Sequence, residues 1–194
     1  LEEAETFLGE YGSVVVKPAR GEQGAGISVD VRDREALSDA LDEAHKFSDK
    51  VLLEEYVQGT DLRIIVIDGK VVAGATRRPP RIQGTGRDSI NSLIAKQSRR
   101  REAATGGESR IPIDRETERC VAEAGFAMED VLPYGESLTV RKTANLHTGG
   151  TIHDVTSKLH PILKQSAVEA AAALDIPVTG LDFIISAPEK PDYV

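Results

Sequence analysis

Lys17 closes the apolar run V-V-V-K-P, and three glycines follow it, Gly21, Gly24 and Gly26, in the pattern G-x-x-G-x-G. A lysine beside clustered glycines can hold an anion, because glycines let backbone N–H groups converge and the ammonium adds charge. Two common phosphate loops are excluded. A Walker loop needs Lys-Ser/Thr after its last glycine, and here Ile27 follows Gly26. A dinucleotide fingerprint runs G-x-G-x-x-G into a helix, whereas here the order is reversed and Ile27, Val29 and Val31 alternate with Ser28 and Asp30 like a half-buried strand. The glycines are therefore expected to form a flap between two strands. A plain hairpin loop with a surface lysine is the competing reading.

A second constellation lies in L-L-E-E-Y-V-Q-G-T-D-L-R-I, Leu52 to Ile64. Glu54 ends a strand and a turn leads to Asp61. Backbone after Glu54 can read the edges of an adenine, and Asp61 can accept hydrogen bonds from ribose hydroxyls. Two solvated carboxylates at a strand end would look the same.

Elements must position these residues. The first third reads helix, strand, loop, strand, helix, strand, with Asp33 as N-cap of a helix facing inward through Leu37, Ala40, Leu41 and Ala44. Asp68-Gly69 predicts a two-residue hairpin turn between alternating runs. Residues 82–136 read as an insert with two helices, one on Ile90, Leu93 and Ile94 and one after Asp114 carrying Cys120 and Val121. Between them, S-R-R-R-E-A-A-T-G-G-E-S-R reads as a mobile loop. The last third gives a strand at 138–142, a glycine loop at 148–151, a helix at about 161–174 and a strand at 178–185.

Composition bounds the function. The 194 residues can bury a substantial core, and 40% hydrophobic with 29% charged residues is ordinary for a globular protein. The net charge of -8 argues against nucleic acid as main partner, and no apolar run reaches membrane-spanning length. The one cysteine, Cys120, points to a core role and a reducing cytoplasm. His147, His153 and His160 lack metal-site spacing. Leu1 begins inside a helical pattern and Val194 stops where P-D-Y-V begins to read as a strand, so a piece truncated at both ends is expected.

Taken together, V-V-V-K-P, G-E-Q-G-A-G, L-L-E-E-Y-V-Q-G-T-D-L-R, R-K-T-A-N-L-H-T-G-G and V-T-G-L-D-F resemble the ATP-grasp superfamily, in its order and over nearly the whole chain. The likeness is greatest to the branch of cyanophycin synthetases and bifunctional glutathione synthetases, and within it R-K-T-A-N-L-H-T-G-G-T-I-H-D-V-T resembles the N-acetylglutaminylglutamine synthetases. The resemblance implies an α/β (α+β) fold of two lobes with mainly antiparallel sheets: residues 1–60 a small lobe with the flap, residues 61–194 an incomplete larger lobe containing the insert, and ATP between them.

It also implies an ATP-dependent carboxylate–amine ligase working through an acyl phosphate, with ATP and Mg²⁺ as cofactors and amino acids or dipeptides as substrates. Lys17 would contact phosphates, and Gly21, Gly24 and Gly26 would form the flap. Glu54, Tyr56 and Val57 would line the adenine, Asp61 would hold the ribose, and Arg63 would face the triphosphate or metal. Arg141 would stabilise the transferred phosphoryl group. Asn145, with Gly149 and Gly150, would shape the acceptor end, and Asp182 would bind Mg²⁺. The family's further metal ligands, a glutamate and an asparagine two residues apart on the next strand, do not follow Asp182 here. The stretch alone is therefore expected to be inactive. Thr85 in G-T-G stands where the branch carries an acid. A nucleotide-binding module without catalysis is the reading of another class, and a homo-oligomer is compatible with all of these.

Overall fold

The computed structural model describes residues 1–21 and 24–194; Glu22 and Gln23, inside the expected flap, lie outside the described residues. The elements are α1 (Glu2–Tyr11), β1 (Val14–Pro18), β2 (Ser28–Val31), α2 (Arg34–His45), β3 (Val51–Glu55), β4 (Thr60–Ile67), β5 (Lys70–Arg78), β6 (Arg81–Gln83), α3 (Ile90–Thr105), α4 (Arg115–Glu123), β7 (Ser137–Thr139), β8 (Thr151–Asp154), a short 3₁₀ turn (Thr156–Lys158), α5 (Pro161–Ala173) and β9 (Val178–Ile185). They form two compact units, Leu1–Tyr56 with Pro79–Gly150, and Val57–Arg78 with Thr151–Val194. The insert, expected within the second lobe, lies in the first unit.

In that first unit an antiparallel sheet β2–β1–β3 buries Val14 and Val16 against Leu8 of α1 and Leu37, Ala40 and Ala44 of α2. Asp33 caps α2 as expected, accepting from Ala36 N at 2.8 Å. The insert has its own core, in which Ile82, Ile90, Ile94, Val121 and Leu138 pack around the β6–β7 pair. Several expectations change. The arginine-rich stretch is not a loop, since α3 runs through Arg99, Arg100 and Arg101 to Thr105 and stops at Gly106, whose φ is +64°. Arginine, glutamate and alanine favour helix, and Arg101 ties the last turn down through Ser109 Oγ and the Gly150 carbonyl. The strand expected at 138–142 is only Ser137–Thr139, and a strand not expected, β8, follows Gly150.

Another change is in β2. Ser28 and Asp30 are buried and Val29 is half-buried, so the expected alternation holds at Val31, which is buried, and fails before it. Val14 pairs with Val31 but Val16 pairs with Ser28, so β2 carries an extra residue. Asp30 supplies the bulge with φ +60°, a conformation aspartate tolerates better than most residues. Its carboxylate accepts from Ser13 Oγ (2.7 Å), Arg32 Nε (2.6 Å) and Lys142 Nζ (2.8 Å). Lys142 also meets Glu123 Oε2 at 2.6 Å. Asp30 thus fastens the glycine-bearing hairpin to the segment that carries Arg141.

Burial opposes ionisation of Asp30, but the bonds from Arg32, Lys142 and Ser13 outweigh it and lower the pKa to about 2 from 3.8. A lowered carboxylate pKa stabilises the fold above the unfolded value, and that stability is lost as pH falls from about 4 toward 2. Between pH 5 and pH 2 the wild type should lose about 2 kcal/mol more than Asp30→Asn. Urea unfolding at the two pH values checks this, and parallel losses in both proteins would show that the clamp does not titrate.

In the second unit, β8–β5–β4–β9 form an antiparallel sheet. One face, with Leu62, Ile64, Val66, Phe183 and Ile185, is buried by Leu163, Ala167 and Ala171 of α5. The Asp68-Gly69 turn forms as read, with φ of +46° and +71°.

Candidate nucleotide and phosphoryl-transfer site

The candidate residues divide between the two units. In the first, Val14 and Val16 point into the core, which turns Lys17 to the open face of the sheet. Glu54 stands on the same face and Lys17 Nζ meets its Oε1 at 2.6 Å. Tyr56 N donates to the Ser13 carbonyl (3.1 Å), which continues the β3 edge past Glu55.

Gly24 and Gly26 have φ of +81° and +70°, a region side chains avoid, whereas Gly21 shows no such φ. A Cβ on Gly26 would stand 2.5 Å from the Phe47 ring, and one on Gly24 would touch the Asn145 amide at 3.4 Å. The flap and the A-N-L-H-T-G-G loop are therefore in contact. That loop folds on itself: Asn145 Oδ1 accepts from His147 N (2.8 Å) and its carbonyl accepts from Gly150 N (2.8 Å). A Cβ on Gly150 would lie 2.5 Å from the Ala144 carbonyl oxygen, so only glycine fits.

A cavity of about 330 Å³ opens here, lined among others by Gly24, Gly26, Phe47, Arg110, Arg141 and His147. Arg141 is 2% exposed. Its Nη1 donates to Asp114 Oδ1 (2.5 Å) and Thr117 Oγ1 (2.8 Å), while its buried Nε has no partner among the described residues. Asp114 Oδ1 also accepts from Thr117 N at 3.0 Å, so one carboxylate both caps α4 and holds the guanidinium. Sequence reasoning identified Asp114 as a cap but not as the residue that orients Arg141.

In the second unit, Asp61, Arg63 and Asp182 share the sheet face opposite the core. Arg63 and Asp182 are register partners on β4 and β9 and make a two-pronged pair, Nε to Oδ1 (2.8 Å) and Nη2 to Oδ2 (2.7 Å). Arg77 of β5 completes the set, donating to Asp61 Oδ1 through Nε (2.9 Å) and Nη2 (2.6 Å) and to Asp182 Oδ1 (3.0 Å). The two carboxylates respond differently. Burial raises the Asp61 pKa despite Arg77. Burial also raises that of Asp182, but Arg63 and Arg77 together bring it below the ordinary value. Val57 opens this unit, and its side chain has no polar atom.

Magnesium takes one or two carboxylates and completes its shell with phosphate oxygens and waters. Asp182 fits as one such oxygen donor, and an ion there would compete with Arg63 and Arg77 for it. No group of three or more His, Cys, Asp or Glu side chains gathers as a metal site among the described residues. His160 instead caps α5, accepting from Ile162 N at 3.2 Å. Cys120 is buried, and burial with the nearby Glu116 carboxylate pushes its pKa up to about 12.

Comparisons with known proteins show what the chain is similar to. Residues 6–89 match the family described as D-ala D-ala ligase C-terminus. Cyanophycin synthetase of Trichormus variabilis is 34% identical over 98% of the chain and 21% of its own length. The glutathione biosynthesis bifunctional protein of Streptococcus mutans is 33% identical over 89% of the chain and 24% of its own length. The crystal structure of a bifunctional glutathione synthetase from Pasteurella multocida superposes with a TM-score of 0.57 at 26% identity, covering 98% of this chain and 27% of that one. The chain thus spans about a fifth to a quarter of the length of the curated relatives it matches. With its antiparallel sheets and its similarity to these enzymes over nearly its whole length, the chain has the fold of ATP-grasp ligases and is similar to the cyanophycin and glutathione synthetases.

Proposed function

We propose that the chain is the nucleotide-binding core of an ATP-dependent carboxylate–amine ligase, in which ATP and Mg²⁺ convert a carboxylate to an acyl phosphate that an amine displaces. The contact between the Gly24 flap and the Asn145 loop carries this reading, because it brings a phosphate-holding backbone to the loop assigned to the acceptor end. Lys17 neutralises phosphate charge, and Arg141 supplies a cation at the cavity beside the flap. Phosphoryl transfer needs positioning and charge neutralisation more than covalent help. Mg²⁺, held through Asp182 and the phosphate oxygens, would supply further neutralisation.

In this reading residues 1–60 are the small ATP-grasp lobe and residues 61–194 the larger one, with the insert clustering in the first unit. Glu54, Tyr56 and Val57 serve the adenine, Asp61 the ribose and Arg63 the triphosphate side. The product is an amide between amino-acid units, with N-acetylglutaminylglutamine as the specific proposal on the strength of the R-K-T-A-N-L-H-T-G-G segment, in a reducing cytoplasm. The second reading is a ligase with the substrates of a cyanophycin or glutathione synthetase, favoured by the relatives at 34% and 33% identity.

Calorimetric titration with Mg·ATP tests the core of the proposal. Lys17→Ala should weaken binding about tenfold or more, the loss of one charge-assisted contact, and GTP should compete poorly. Equal affinity in wild type and variant would remove Lys17 and its flap from the nucleotide site.

A further inference from the structure

A second cavity, of about 770 Å³, lies in the insert and shares no lining residue with the cavity beside the flap. Its volume is in the range of small-molecule sites. Arg81 projects from β6, and Lys96 and Arg100 stand one turn apart on α3. The one carboxylate in its lining, Asp88, is already engaged: Oδ1 by Lys96 Nζ at 2.6 Å and Oδ2 by Thr85 Oγ1 at 2.9 Å. Thr85 thus directs a nearby acid where the branch has an acid of its own. Arg81 and Arg100 have no carboxylate within ion-pair distance among the described residues.

The walls are rigid. Ile82 and Leu93 belong to the insert's core. A Cβ on Gly84 would stand 1.9 Å from the Pro133 carbonyl oxygen, so backbone packs tightly against backbone at this edge. Tyr134 lines the cavity while 88% exposed. Gln83, Gln97 and Ser137 offer amide and hydroxyl partners of the kind peptide groups use.

From this the geometry points to a binding site for a short acidic peptide, its carboxylates on Arg81 and Arg100 and its amide groups on Gln83, Gln97 and Ser137. Guanidiniums without protein partners are suited to paired recognition of carboxylate or phosphate. The chain's net charge of -8 repels an extended polyanion but not a small acid that enters a locally cationic cavity. The inference rests on the amide-ligase reading for its choice of peptide over phosphate; within that reading it names an acidic substrate and so sets the glutaminylglutamine product aside in favour of an acidic one.

The test titrates the protein with glutamylglutamate, with its uncharged glutaminylglutamine counterpart and with inorganic phosphate, and in parallel with Mg·ATP. Glutamylglutamate should bind saturably, at least tenfold more tightly than the uncharged peptide. Binding should fall tenfold or more in R81Q/R100Q and in Arg100→Glu, while Mg·ATP affinity stays as in wild type. Both arginines are exposed, so thermal unfolding should be unchanged in the variants. Phosphate binding without peptide binding, equal binding of both peptides, or variants that retain wild-type peptide affinity would each overturn the site. Failure of Mg·ATP to bind wild type would instead overturn the ligase reading, and the peptide arm would still decide the cavity.

Discussion

On the ligase reading proposed above, Asp182→Asn should slow ATP-dependent amide formation about a thousandfold, the usual scale for removing a group that stabilises transferring charge. Stability should change by only about 1 kcal/mol, because the ion pairs of a half-exposed carboxylate contribute little. The combination follows from where the residue stands. Asp182 is on the face of the four-stranded sheet that α5 does not cover, and its partners Arg63 and Arg77 are themselves partly exposed. Asparagine keeps the shape and one acceptor, but it loses the charge that a metal–phosphate complex requires. Steady-state turnover and urea unfolding of the same preparation separate the two effects. Wild-type turnover would remove β9 from the site. A loss of activity accompanied by a loss of several kcal/mol would make Asp182 a fastener between β4 and β9 instead.

The partner that completes this cluster shows where sequence reasoning reaches its end. Counting back from the Asp68-Gly69 turn pairs Ile67 with Lys70 and Val66 with Val71, and that register would place Thr76 opposite Asp61. A register shift between Ile65 and Val66 moves the pairing by one residue, so that Arg77 faces Asp61 and Thr76 is buried opposite Leu62. A bulge of this kind depends on packing against β9 and α5, which no local pattern reveals. The same holds at Asp30, where strict alternation predicted an outward carboxylate and the bulge turned it inward onto Lys142, more than a hundred residues away in sequence. Features governed by local chemistry were legible. The caps at Asp33 and Asp114, the hairpin turn and the left-handed conformations of Gly24 and Gly26 all follow from residue type and immediate neighbours. The family motifs marked Arg141, but its partners come from the N-terminus of α4, a helix whose sequence announced only its start.

Those partners lead to the largest expected stability effect. Asp114→Ala should destabilise the fold by about 3 kcal/mol, since removing the carboxylate leaves the buried Arg141 charge uncompensated. A lost N-cap contributes about 1 kcal/mol of such a change. Arg141 cannot escape to water, being almost wholly buried with its Nε already unpartnered, and Thr117 Oγ1 would be its one remaining acceptor. The reverse substitution is not equivalent. Arg141→Met removes the charge and fills similar volume, Asp114 is accessible enough to be hydrated and still caps α4, and Thr117 Oγ1 keeps its bond to the Pro112 carbonyl at 2.7 Å. Its cost should be about 1 kcal/mol or less, because apolar replacement of a buried ion is often nearly neutral. Asp114→Asn, which retains a cap and an acceptor, should fall between the two. Urea midpoints of the three variants give the order directly. Should Arg141→Met prove the most damaging, the guanidinium would be a structural support of the α4 N-terminus rather than a cation held in place by Asp114 for the cavity beside the flap.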